Sequence, residues 1–122
     1  IGKGITDAGG EARVVPMEDM EASELKSCSV FALGCPAMGA EELEDTIVEP
    51  FVDEVEKFAA GKKIALFGSY DWGDGEWMRL WADRMKDAGA FIVGDEGLIC
   101  NNEPGEGDIA ACEKLGQLLI SV

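Results

Sequence analysis

Two short stretches hold the residues best suited to chemistry. The first reads Gly34-Cys35-Pro36-Ala37-Met38-Gly39-Ala40-Glu41-Glu42-Leu43-Glu44-Asp45: a glycine, an apolar thioether and then acids. The second reads Gly68-Ser69-Tyr70-Asp71-Trp72-Gly73-Asp74-Gly75-Glu76-Trp77. Its small residues mark a loop, and loops run over the surface. Tyr70 and Trp72 there need an explanation, because large aromatics are seldom left in water without one. A flat apolar ligand stacked on Trp72 is one explanation; packing of Trp72 on a neighbouring loop is the other. Asp71, Asp74 and Glu76 loosely resemble a calcium loop, but neither the spacing nor the glycine position matches an EF-hand. Carboxylates between Glu41 and Asp45 could be paired for acid–base work, yet a solvated acidic loop accounts for them more simply. The chain has no histidine, which removes Ser–His and Cys–His nucleophiles and the mixed Cys/His zinc sites.

The elements that must carry these stretches are legible as hydrophobic patterns. Residues 28–34 and 63–68 are continuous apolar runs stopped by Gly34 and Gly68, and 90–94 begins a third that resumes at Leu98-Ile99-Cys100. Short runs of this kind suit strands buried on both faces. Residues 12–16 read as another short strand, and 19–26 as a helical turn or two. Helical stripes lie between the strands. Phe51, Val55 and Phe58 mark a helix over 48–60, with Pro50 in its first turn and Gly61 as its stop. Trp77, Trp81, Met85 and Ala88 mark one over 75–88, ended by Gly89. Ile109, Cys112, Gly116 and Leu119 share a face over 106–120. Residues 1–8 read as the end of a helix closed by Gly9-Gly10. Strands alternating with helices predict an α/β protein with a parallel sheet covered on both faces. In such sheets ligands bind beyond the strand C-termini, which is where both loops fall.

Composition narrows the partners. The 122 residues fit one domain, and at 47% hydrophobic they can build a core. Ten Lys and Arg against 25 Asp and Glu give a net charge of −15. That field repels nucleic acid and anionic membranes and favours basic partner surfaces. Cys28, Cys35, Cys100 and Cys112 form no CxxC pair; Cys28, Cys100 and Cys112 lie among apolar neighbours and read as small core residues in a reducing cytoplasm. There is no signal-peptide pattern and no apolar run long enough for a membrane span.

The two loops resemble the flavin-binding loops of short-chain flavodoxins from anaerobic bacteria. Gly34-Cys35-Pro36-Ala37-Met38-Gly39 with Glu41-Glu42-Leu43-Glu44 is similar to the family's first loop. Ala65-Leu66-Phe67-Gly68-Ser69-Tyr70 followed by Trp72-Gly73-Asp74-Gly75-Glu76-Trp77-Met78 is similar to the second, and Asn102-Glu103-Pro104 to a later loop near the same site. The resemblance spans nearly the whole chain. It implies a flavodoxin-like doubly wound parallel sheet in the order 2-1-3-4-5, a single domain over residues 1–122, and non-covalently bound FMN. It further implies a low-potential one-electron carrier rather than an enzyme, shuttling between redox enzymes in the cytoplasm. Its partners would be the basic surfaces of ferredoxin-type reductases or oxidoreductases, with neither nucleic acid nor membrane involved. A flavodoxin-like remnant, or an FMN reductase domain that is not a free carrier, is the alternative.

By the same resemblance the cofactor-binding residues are Pro36, Ala37, Met38, Gly39, Ala40, Glu41, Ser69, Tyr70, Asp71, Trp72, Gly73 and Asn102. Trp72 would stack on one face of the ring and Met38 would cover the other. The Gly39 carbonyl would turn toward the flavin N5 when that nitrogen gains a proton. Glu41 would help hold the N3 edge, and Ser69, Tyr70 and Asp71 would line the pyrimidine side through backbone groups. Ala40 and Asp71 depart from the family's common residues, Asp71 standing where Gly is frequent. The largest departure is at the start. The family opens with a strand and a Ser/Thr/Gly-rich phosphate loop, and no Thr-Gly-Asn-Thr-type loop occurs here. The expectation is therefore an N-terminally incomplete domain, with the first and central strand absent from this chain and FMN bound weakly or not at all as it stands. Such a chain would be a monomer if the N-terminus is complete, and could form a strand-swapped oligomer if it is not.

Overall fold

A computed structural model describes residues 1–35, 46–70, 75–94, 97–101 and 105–121. Strand β1 (Val30–Gly34) is followed by helix α2 (Val48–Glu56), strand β2 (Lys63–Tyr70), helix α3 (Glu76–Asp87), strands β3 (Phe91–Ile92) and β4 (Leu98–Asn101), and helix α4 (Glu106–Ser121); a short helix α1 (Gly2–Asp7) precedes them. Every pairing is parallel. β1 pairs along one edge of β2, with Val30 opposite Lys63 and Gly34 opposite Phe67. β3 and β4 share the other edge as two halves of one interrupted strand: Phe91 and Ile92 meet Lys63 and Ile64, and Leu98 to Asn101 meet Phe67 to Tyr70. The break comes at Gly94, whose φ of +83° is in the left-handed region open to glycine.

Side-chain alternation explains the layering. Leu33, Ile64 and Leu66 face one side and join Phe51, Val52 and Val55 of α2 with Trp77, Trp81 and Met85 of α3 in the larger core. Val30, Ala32 and Ala65 face the other side, where Leu115 and Leu119 of α4 and Ile1 and Ile5 of α1 complete a smaller one. Helices on both faces of a parallel sheet give the expected α/β arrangement. α1 and α4 touch backbone to backbone: a Cβ on Gly116 would lie 2.1 Å from the Ile1 carbonyl oxygen, and one on Gly4 would lie 1.9 Å from that of Glu113.

The expected strand over 12–16 is not formed. The segment is irregular and Val14 is 85% exposed. An extended segment becomes a strand only when a ladder partner takes its amides, and no described strand lies beside it. The helical turn or two expected over 19–26 is a 3-10 helix over 22–27, with a further 3-10 turn at 17–19 before it. In α4 the buried face is Leu115, Gly116 and Leu119, while Ile109 is 50% exposed. The buried stripe of α4 therefore starts later than the periodicity suggests. No helix among the described residues is long and apolar enough to cross a membrane.

α2 and α3 are tied at the surface by Arg84. Its guanidinium bonds Glu49 (Nη1 to Oε2, 2.8 Å), Asp53 and Glu56, three acids one turn apart along α2. Partial burial works against the charged arginine, but the hydrogen bonds from Glu49 and Glu56 outweigh it and raise its pKa. Replacing Arg84 with methionine keeps the stem and leaves three like charges on one helix face. The variant is expected to lose about 1 kcal/mol in urea denaturation at low salt, and the difference should shrink in 1 M NaCl as screening weakens both attraction and repulsion.

Candidate functional site

The C-terminal edge of the sheet gathers the segments leading into all three loops of interest. β1 runs into Cys35, whose backbone N–H donates to the Phe67 carbonyl at 3.0 Å and so extends the ladder one residue beyond the strand. Cys35 is 2% exposed, the most buried of the four cysteines, while Cys28, Cys100 and Cys112 are half-buried. That reverses the assignment made from apolar neighbours alone: Cys35 joins the larger core just past β1, whereas Cys28 precedes β1, Cys100 is near the end of β4 and Cys112 lies within α4.

Two glycines let the strands close up here. A Cβ on Gly34 would fall 2.2 Å from the Phe67 ring, and one on Gly68 would fall 2.1 Å from the Cys35 carbonyl oxygen and 3.2 Å from the Trp77 ring. β2 ends in Ser69 and Tyr70, both half-buried. The Tyr70 ring lies 5.8 Å from that of Trp77, tilted by 50°, an inclined arrangement that aromatic pairs favour. β4 ends beside it, and the Asn101 side-chain amide donates to the Tyr70 carbonyl at 3.3 Å. α3 then starts from Gly75, whose φ is +92° and where a Cβ would meet the Ile99 side chain at 2.8 Å. Trp77 in its first turn is 2% exposed, with an indole N–H that has no hydrogen-bond partner among the described residues.

Of the residues expected to hold a ligand, Ser69 and Tyr70 are placed, side by side at the end of β2. Pro36, Ala37, Met38, Gly39, Ala40, Glu41, Asp71, Trp72, Gly73 and Asn102 lie outside the described residues. The residues that lead into them are placed: Cys35 before the first loop, Tyr70 before the second and Asn101 before the third. Register brings these together, since Gly34 pairs with Phe67 and Asn101 with Tyr70 on opposite edges of the same strand. Glu76 in the first turn of α3, and Glu106 and Asp108 in that of α4, add negative charge at the same end. Sequence patterning marked Gly68 only as a strand stop and loop start, and did not single out Asn101. Only the three-dimensional contacts show Asn101 tying β4 to the Tyr70 backbone and Gly68 seating β1 against α3.

This edge suits a flat, polar-rimmed ligand such as a flavin. It offers backbone groups at three loop roots, an aromatic pair, and close glycine packing that leaves the loops to supply the walls. A family model described as flavodoxin matches residues 1–115. The chain is 44% identical over 110 residues to the flavodoxin of Megasphaera elsdenii, covering 90% of this chain and 77% of that protein. It is 40% identical over 122 residues to that of Clostridium beijerinckii, covering 100% and 87%. The solution structure of two-electron reduced Megasphaera elsdenii flavodoxin superposes with a TM-score of 0.88 at 40% identity, covering 99% of this chain and 85% of that one.

Proposed function

The chain belongs to the flavodoxin family, and on that premise we propose that FMN sits at the three-loop edge of the sheet and carries single electrons at low potential. It is an FMN-binding electron-transfer protein that works with redox partner proteins, and it is not an enzyme. The observation that carries the siting is the convergence of the three loop roots, Cys35, Tyr70 and Asn101, around the end of one strand. The relatives it matches are flavodoxins, which favours the carrier over a remnant or a reductase domain.

FMN supplies the redox chemistry, and the protein binds, orients and tunes it. In our reading Trp72 and Met38 cover the two faces of the ring and exclude water. Pro36, Ala37 and Ala40 shape the first loop, and Gly39 leaves its carbonyl free to reorient toward the ring. Glu41 holds the polar edge. Ser69, Tyr70, Asp71, Gly73 and Asn102 present the remaining backbone and side-chain groups. Asn101, by fixing the Tyr70 carbonyl, keeps that group from turning into the pocket. A net charge of −15 and apolar walls disfavour added negative charge on the ring, which pushes the potential down. The same charge steers basic faces of ferredoxin-type reductases or oxidoreductases onto the exposed edge. A single domain working in the cytoplasm is the setting this reading supports.

Titration with FMN, followed by quenching of flavin fluorescence, tests the site. Trp72→Ala is expected to weaken binding about tenfold by removing one stacking surface. Unchanged affinity in that variant would place the ring elsewhere.

A further inference from the structure

We propose that Cys100 and Cys112 form a reversible disulfide that staples the end of β4 to α4 behind the cofactor loops. Strand alternation puts Cys100 on the same sheet face as Leu98, which packs with Leu115 and Leu119 of α4. Cys112 lies three residues before Leu115 and seven before Leu119, on the same helix face. α4 returns antiparallel to β4 after a short connection, so moving up the strand from Leu98 to Cys100 parallels moving back along the helix from Leu115 to Cys112. The steps are comparable, about 7 Å for two strand residues and about 4.5 Å for three helical ones. β4 and α4 pack against one another, and a disulfide between them requires the two Cα atoms to come within about 7 Å. Both residues carry thiols and are half-buried. Burial, then Asp108, then Cys112 raise the pKa of the Cys100 thiol.

The chemistry is thiol–disulfide exchange with a low-molecular-weight disulfide such as oxidised glutathione. One protein thiolate attacks the small disulfide and releases one small thiol. The second protein thiolate then attacks the mixed disulfide, forming the Cys100–Cys112 bond and releasing the other small thiol. Two protein thiols are oxidised, one small disulfide is reduced, and the two protons leave on the two small thiols. Cys100 is next to Asn101, whose side chain holds the Tyr70 carbonyl, so the staple fixes the strand end that borders the proposed flavin site. Transient disulfides of this kind occur in reducing compartments as redox sensors.

The test exposes the whole folded chain to oxidised glutathione, quenches exchange with acid, alkylates the remaining thiols in denaturant so that buried Cys35 is reached, and measures intact and peptide masses. The expected product is monomeric, lighter by two hydrogens, alkylated at Cys28 and Cys35 only, and yields a cross-linked pair of peptides containing Cys100 and Cys112. Cys112→Ser should abolish the cross-link while leaving a folded protein by circular dichroism. Four alkylated thiols, a bond through Cys28 or Cys35, or a mixed disulfide that persists without closing would each overturn the proposal.

Discussion

Gly68→Ala is expected to destabilise the fold by about 2–3 kcal/mol and to weaken FMN binding at least roughly tenfold. The added methyl would sit 2.1 Å from the Cys35 carbonyl oxygen and 3.2 Å from the Trp77 ring. The first of these is backbone, held by the Cys35 N–H bond to Phe67 one residue away, so no side chain can swing aside to relieve the clash. β1 and β2 must separate at the edge from which both major loops emerge. Stability and affinity therefore fall together, and the affinity loss persists under conditions where the variant is fully folded. Urea denaturation monitored by circular dichroism gives the first quantity and FMN fluorescence quenching the second. Wild-type affinity in a destabilised variant would show that the strand ends do not position the loops.

The other large effect lies deeper. Trp81 is 1% exposed at the centre of the face that α3 lays on the sheet. Trp81→Ala should cost about 3–5 kcal/mol, the range for emptying a buried aromatic site. Against a total stability of about 5–15 kcal/mol, that brings the chain close to unfolding at room temperature. Trp81→Phe should cost clearly less, for a specific reason. The indole N–H of Trp81 has no hydrogen-bond partner among the described residues, so its removal sacrifices no bond and relieves a buried unsatisfied donor. Comparison of the two midpoints in urea separates packing from hydrogen bonding. Equal losses in both variants would mean that the N–H is in fact satisfied and contributes to the fold.

The periodic elements were readable because their signals are local. The runs at 28–34 and 63–68 became β1 and β2, and the interruption between 90–94 and Leu98 appeared as the split edge strand β3 and β4. The Trp77, Trp81 and Met85 stripe buried itself as the spacing required. Glycine stops at Gly9, Gly61 and Gly89 all adopt positive φ, a conformation that the residue type itself makes cheap. The stretches after Leu33 and Phe67 stood out as candidate ligand loops because strand ends and turn residues coincide in the sequence. The same local reading failed where the outcome depends on a neighbour. Residues 12–16 have strand composition and no described ladder partner. Ile109 has the right phase and is half-exposed. Cys35 looked like loop chemistry and is buried, whereas Cys28, Cys100 and Cys112 looked like core and are half-exposed.

By itself, then, the order of residues determined the alternation of strands and helices and the acidic field, since each follows from side-chain type and spacing along one segment, while the two loops carried a resemblance to flavodoxins. Tertiary structure decided which segments found partners, how closely β1 could approach β2 over Gly68, and that Asn101 and Tyr70 meet at one strand end. Those outcomes depend on contacts between residues far apart in the chain, where close packing and backbone pairing, rather than any local preference, set the free energy.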